Sequence, residues 1–232
     1  MRILVMASEV APFARTGGLA DVSGALPRAL KERGHDVRVI LPFYRQIEKG
    51  PFPLTKLRRS VEINLAGTFY KGQLRQTIHR QLPVYFLENR HFFGREQLYG
   101  PAGGDYEDND QRFAFFCRAV LAMLKRIDFR PDIIHCNDWQ TALVPLILAS
   151  ELASDPFFAT MAPVLTIHNL AFQGIFEATS LRRMGLNSGL LNPEELEFFG
   201  RVNLLKGGIR HARMITTVSP TYRSEILTPE GG

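Results

Sequence analysis

The stretch "MRILVMASEVAPFARTGGLADVSGALPRAL", residues 1–30, decides the fold, because it joins a short apolar strand to an amphipathic helix through a long loop. Residues 3–7 are typical of a buried strand, and apolar side chains recur at helical spacing from residue 19 to residue 30. Gly34 ends this helix as a left-handed cap does. Pro27 inside it predicts either a kink or the start of a second helical piece. Residues 36–42 ("DVRVILP") then give a second strand.

The same alternation returns in the second half of the chain. Strands are predicted at "PDIIHC" (131–136), "APVLTIH" (162–168) and "MITTV" (214–218), and helices at 111–126, 139–152, 192–200 and 203–212. A further helix starts with Ser219 as its N-cap and Pro220 at its first position. Strands that alternate with helices predict an α/β fold, with a Rossmann-like, mostly parallel sheet and helices on both faces.

The segment between these two halves has a different pattern. "SVEINLAG" (60–67), "GQLRQTIHR" (72–80) and "PVYFLEN" (83–89) are typical of strands joined by short turns. They predict a small β-rich insertion, antiparallel or mixed, beside the main sheet.

Composition narrows the class of protein. The 232 residues suit one large domain or two small ones, and the net charge of +5 is spread over scattered cations instead of a nucleic-acid-binding arm. No apolar run approaches the roughly 20 residues of a membrane span. Cys117 and Cys136, which are the two cysteines, lie in apolar runs and form no disulfide framework. With a strand at residue 3 and no signal or transit peptide, a cytoplasmic protein is expected.

The loop between the first strand and the first helix suits an anion. Residues 8–17 exceed the roughly 2 to 6 residues that usually join a strand to a helix. Gly17 and Gly18 allow backbone amides at a helix start to approach a phosphate closely, and Arg15 adds a planar guanidinium. The pattern differs from G-x-G-x-x-G, which argues against an NAD-dependent oxidoreductase. The alternative interpretation is a plain flexible turn.

Two other loops follow strands that should end at the same sheet edge, where α/β proteins bind ligands. Asp138 and Trp139 follow the strand at 131–136, and His168 and Asn169 follow the strand at 162–168. Taken singly, Asp138 suits a helix N-cap and His168 a hydrogen-bonded core histidine. No zinc-ligand spacing is present, so no metal site is predicted.

Five blocks, in order, resemble the family of bacterial glycogen synthases and plant starch synthases. They are "SEVAPFARTGGLADVSGALPRAL" (8–30), "DYEDNDQRFAFFCRA" (105–119), "HCNDWQTAL" (135–143), "TIHNLAFQG" (166–174) and "TTVSPTYRSEI" (216–226). The resemblance implies a retaining glucosyltransferase of the GT-B architecture, in which two Rossmann-like domains enclose the donor. Such enzymes move glucose from ADP-glucose to the nonreducing end of an α-1,4-glucan, with ADP-glucose as a substrate and no cofactor.

The resemblance also implies residue roles. Asp138 and His168 become the candidate catalytic residues at the glucose site. The donor is contacted by Arg15, Gly17, Gly18 and Asn169, while Tyr106 and Trp139 border the acceptor glucan. The family has lysine where this chain has Arg15, which keeps the charge but enlarges the head group.

The resemblance further implies that residues 1–232 are the N-terminal, acceptor-side domain. The C-terminal nucleotide-binding domain is then expected to be absent from this chain, and the chain alone is expected to be inactive. Two alternatives stay open: another GT-B glucosyltransferase, such as a sucrose- or trehalose-type enzyme, and a non-catalytic glucan-binding domain.

Overall fold

The computed structural model describes residues 1–231. Its strands are β1 (Arg2–Met6), β2 (Asp36–Pro42), β3 (Thr55–Leu65), β4 (Thr68–His79), β5 (Leu82–Glu88), β6 (Ile133–Asn137), β7 (Ala162–Ile167), β8 (Ile175–Phe176), β9 (Glu197–Phe198), β10 (Arg201–Asn203) and β11 (Met214–Thr217). Its α-helices are α1 (Gly18–Glu32), α2 (Arg45–Glu48), α3 (Arg90–Phe93), α4 (Asn109–Arg126), α5 (Leu143–Ser150), α6 (Ser180–Arg183), α7 (Leu204–His211) and α8 (Pro220–Glu225). Short 3-10 helices span Trp139–Thr141 and Ser188–Leu190.

Eight strands form one sheet in the order β11-β7-β6-β1-β2-β5-β4-β3. The six strands from β11 to β5 run parallel, and β4 and β3 are antiparallel. The predicted mostly parallel sheet is therefore confirmed. The chain builds outward from β1 through β2 to β5 and then returns to the other side of β1 with β6, so the strand order reverses between β1 and β6.

The predicted β-rich insertion extends the main sheet instead of lying beside it. β5 pairs with β2 in parallel, and β4 and β3 continue from β5 as a meander. A two-residue turn of Arg80 and Gln81 joins β4 to β5, and both residues have positive φ, at 48° and 65°. This is the backbone geometry that matches the twist of a tight hairpin.

Buried strands and two long helices make the core. Four of the five residues of β1 are buried, which is the apolar run expected of a parallel strand covered on both faces. On one face, Leu26 and Leu30 of α1 line a groove with Ile3 of β1. On the other face, α4 carries a nearly continuous buried surface that includes four phenylalanine-sized or larger side chains: Arg112, Phe113, Phe115 and Phe116.

The structure confirms the predicted helix caps but contradicts one predicted helix. Pro27 lies inside α1, which is continuous from Gly18 to Glu32, and Gly34 has the predicted positive φ, at 86°. The Oγ of Ser219 accepts from the amide of Tyr222, which confirms the predicted cap. The helix predicted over 192–200 is wrong, because Glu197–Phe198 instead pairs with β10.

Candidate active site

A cavity of about 440 Å³ opens beyond the carboxyl ends of β1, β6 and β7. It lies beside the β1–β6 reversal, which is the place where open α/β sheets bind ligands. Six residues singled out in the sequence line this cavity together: Gly17, Gly18, Asp138, Trp139, His168 and Asn169. A larger surface depression, of about 640 Å³, lies away from the strand ends between β3, α4 and α5. We therefore take the smaller cavity as the candidate site.

The start of α1 offers backbone donors to the cavity. Gly17 is the N-cap and makes no side-chain cap hydrogen bond within the described chain. The first amides of a helix have no acceptor inside the helix, so they are available to an anion. A Cβ atom added at Gly17 or Gly18 would meet no atom within 4 Å. Packing within the chain does not require glycine here, whereas a ligand lying against the backbone would.

Asp138 is held in an unusual backbone conformation at the end of β6. Its φ and ψ are 57° and −176°, a region that a residue other than glycine enters at a cost of about 1–3 kcal/mol. Its carboxylate does not cap the following helix. Instead, Oδ1 accepts a hydrogen bond of 2.7 Å from the amide of His168. Burial raises the pKa of Asp138 to about 6, against the lowering effect of the amides of His168 and Asn169.

His168 is oriented by the side-chain amide of Asn137, at the end of the neighbouring strand β6. Its Nε2 lies 2.9 Å from Oδ1 of Asn137, whose Nδ2 donates to the carbonyls of Met6 and His135. Because that oxygen can only accept, Nε2 carries the proton. Burial, with a smaller contribution from His135, lowers the pKa of His168 to about 4. The ring is therefore neutral at neutral pH, and its Nδ1 is an acceptor.

Asn169 begins the turn that follows His168. Its Oδ1 accepts from the amide of Ala171, and its carbonyl accepts from the amide of Phe172. The amide of Leu170 donates to the hydroxyl of Tyr222 in α8. These contacts fix the loop, and Phe172 lines the cavity with 64% of its surface exposed.

Trp139 contributes only a small surface to the cavity. It is 7% exposed and packs edge-on against Phe113 and Phe176, with ring centroids 5.0 and 5.6 Å apart. Gly174, at φ 64°, lies so close that a Cβ there would be 2.6 Å from the indole ring. Trp139 thus supports the cavity wall mainly by packing.

Arg15 and Tyr106 lie outside the cavity lining. The Arg15 guanidinium is exposed and pairs with Asp21 at 2.9 Å, beside the first turn of α1. The ring of Tyr106 lies against the guanidinium groups of Arg95 and Arg112, at 4.6 and 4.9 Å. Their predicted roles toward donor and acceptor stay predictions.

Other lining residues were not singled out in the sequence, notably Glu9, Thr16, Tyr99 and Asp105. Glu9 is 3% exposed and accepts from the amide and the hydroxyl of Thr16 and from the hydroxyl of Tyr99. Within residues 1–231, no group of three His, Cys, Asp or Glu side chains is placed to hold a metal ion. None of the helices in that range has the length and apolar character to cross a bilayer.

The open sheet and the cavity at its strand reversal define a Rossmann-like α/β domain with a candidate ligand site. The chain belongs to the family of starch synthase catalytic domains, whose model matches residues 2–232. This is a glycosyltransferase family, so the predicted family and enzyme class are confirmed.

Individual relatives agree. The chain is 58% identical to glycogen synthase 2 of Geobacter metallireducens and 59% identical to glycogen synthase 2 of Geobacter sulfurreducens, in each case over all of this chain and 48% of the relative. A solved structure, the catalytic domain of starch synthase IV from Arabidopsis thaliana bound to ADP and acarbose, matches 99% of this chain with a TM-score of 0.90 and 37% identity. The match covers 47% of that structure, so the chain spans about half the length of these relatives.

Proposed function

We propose that this chain forms the acceptor-side half of a glucosyltransferase that moves glucose from ADP-glucose to the nonreducing end of an α-1,4-glucan, with retention of configuration. The observation that carries the proposal is the convergence of Gly17, Gly18, Asp138, His168 and Asn169 on one cavity. The similarity to glycogen synthases supports it, as do the ADP and acarbose bound to the starch synthase IV domain.

In the proposed reaction, the donor's diphosphate lies at the start of α1. The helix dipole and the amides of Gly17 and Gly18 stabilise the negative charge that develops on the leaving group, with Arg15 close by. No metal or other cofactor is needed for this charge stabilisation.

The glucose ring lies beside Asp138 and His168. A carboxylate stabilises the positive charge that develops on the sugar as the bond to the diphosphate breaks. The Nδ1 of neutral His168 accepts a hydrogen bond from a sugar hydroxyl, and the side-chain Nδ2 of Asn169 donates one. The acceptor glucan enters past Phe172 and Trp139.

We further propose that the nucleoside is held by a second domain, corresponding to the half of each relative that this chain does not cover. The chain alone then binds ligands weakly and transfers no glucose. Activity requires both halves around the donor.

The test replaces the segment of Geobacter sulfurreducens glycogen synthase 2 that aligns with this chain by this chain. Transfer of labelled glucose from ADP-glucose to glycogen is measured. We expect transfer by the chimera, and a loss of at least about 100-fold in kcat for Asp138→Asn. Asp138→Asn with normal kcat would contradict the proposal. Glycogen binding without transfer would favour a glucan-binding domain.

A further inference from the structure

Glu9 is a buried carboxylate without a cationic partner among residues 1–231. It is 3% exposed and takes part in none of the ion pairs of that range. Burying an unpaired charge is costly unless hydrogen bonds compensate for it. The compensation comes from three neutral donors, which are the amide and hydroxyl of Thr16 and the hydroxyl of Tyr99. Such an arrangement needs a reason beyond stability.

The first partner of Glu9 is the residue directly before the glycine pair. The Thr16 hydroxyl donates to Oε1 at 2.7 Å, and the Thr16 amide donates to Oε2. One carboxylate therefore fixes both the backbone and the side chain of Thr16. Because Gly17 and Gly18 follow immediately and have no Cβ to restrict them, a fixed Thr16 limits the directions that their amides can take.

The second partner connects the glycine pair to another wall of the cavity. The Tyr99 hydroxyl donates to Oε1 of Glu9 at 2.6 Å and also contacts Oγ of Ser8 at 2.8 Å. The Tyr99 carbonyl accepts from the amide of Tyr106 and from Nδ2 of Asn109, at the start of α4. Glu9 thus joins the loop after β1, the glycine pair and the glycine-rich loop before α4.

We propose that Glu9 is a positioning residue that holds the amides of Gly17 and Gly18 convergent on the cavity by fixing Thr16 against Tyr99. It acts through Thr16 and not by touching the anion, since its negative charge would repel a phosphate. The identity of that anion, the diphosphate of the donor, rests on the proposed function.

The experiment uses this chain, labelled with 15N. Amide hydrogen exchange of Thr16, whose amide donates to Glu9, is measured by NMR, and ADP-glucose is then titrated in. For Glu9→Gln we expect at least about 10-fold faster exchange at this amide and about 10-fold weaker ADP-glucose affinity, because a carboxamide has one acceptor oxygen for three donors. Asp105→Asn is the matched control, since it removes a carboxylate from the same cavity that is not bonded to Thr16.

Conservative variants separate positioning from general destabilisation. Thr16→Ser keeps the hydroxyl and should preserve both readouts, whereas Thr16→Val should accelerate exchange. Tyr99→Phe removes one of the three donors to Glu9 and should have an intermediate effect on exchange and affinity. This variant provides the test if Glu9→Gln does not fold. Unchanged exchange in both Glu9→Gln and Tyr99→Phe, or an equal effect of Asp105→Asn, would overturn the inference. A wild-type chain with slow exchange at the Thr16 amide and no response to ADP-glucose would count against the proposed donor alone.

Discussion

The carboxylate of Asp138 accepts a 2.7 Å hydrogen bond from the backbone amide of His168, and this contact joins the ends of β6 and β7. We propose that the Asp138 side chain, which accepts this hydrogen bond, stabilises positive charge on the sugar. We propose that His168, whose main chain donates the bond, binds a sugar hydroxyl through its ring. Because one partner is backbone that directly follows the parallel strand β7, the carboxylate is held close to a rigid element. A position held in this way favours preorganised electrostatic stabilisation.

The burial of Asp138 should reduce stability at neutral pH. Its folded pKa of about 6 lies above the unfolded value of 3.8, so the unfolding free energy falls as the pH rises from about 4 to 6. We expect Asp138→Asn to stabilise the chain by up to about 3 kcal/mol at pH 8 and by little near pH 4. Urea unfolding at both pH values measures this. An equal gain at both would show that the charge is not its source.

Two histidines should have the opposite pH dependence. Burial lowers the pKa of His135 and of His168 to about 4, so the unfolded chain binds protons below pH 6.5 that the folded chain does not. The unfolding free energy should therefore fall from pH 6.5 to about 4, with Asp138 offsetting part of the loss.

His135→Gln tests this pH dependence at a histidine that does not line the cavity. The variant should lose roughly half of the histidine contribution to the fall, as seen in urea unfolding across that pH range. A fall as steep as in the wild-type chain would assign the acid sensitivity to other groups.

Gly18→Ala should change stability and ligand binding in opposite directions. Alanine fits at position 18, because a Cβ there meets no atom within 4 Å and the backbone of Gly18 is not in the left-handed φ region. Alanine also restricts the conformations of the unfolded chain. We expect a gain of about 0.4–1 kcal/mol in unfolding free energy. ADP-glucose affinity, measured by NMR titration of the chain, should fall about 10-fold because the methyl group occupies the anion's place. Unchanged affinity would indicate that the diphosphate does not bind at the start of α1.

Phe172→Ala should weaken glucan binding without a loss of stability. The ring is largely exposed at the cavity and offers an apolar surface to a sugar. We expect maltoheptaose to bind roughly 3- to 10-fold more weakly, corresponding to about 0.5–1.5 kcal/mol. Phe199→Ala is the control, because Phe199 is 87% exposed but lies outside the cavity lining. Equal losses in both variants would indicate nonspecific binding.

Much of the sheet could be predicted because buried parallel strands are short, apolar and bounded by polar loops. β2 was predicted over the same residues, 36–42, that the structure shows. The error at 192–200 has a local cause. Asn192 turns the chain by accepting from the amide of Glu194, and Phe199 and Gly200 then form a turn at positive φ that pairs β9 with β10. These local turn contacts outweigh the helical spacing of the Leu and Phe residues.

The candidate site was predictable where its residues follow strand ends. Asp138 and His168 each come directly after a parallel strand, and sheet topology alone brings such residues to one edge. Glu9 was missed because its partner Tyr99 is 90 residues away and belongs to a loop that no strand pattern positions. The donor role of Arg15 stays a prediction, because it depends on a side-chain direction that sequence spacing does not determine.

The tight turn at Arg80 and Gln81 has a practical consequence. Helix α1 starts at the cavity with Gly18, and its Lys31 bonds the carbonyl of Gln81, so about 20 Å of helix separates the two. Cys117 and Cys136 are both buried, with the pKa of each thiol raised by burial. A cysteine introduced at exposed position 80 would therefore be the reactive one. Tethering a surface or fluorophore there leaves the cavity mouth facing solution.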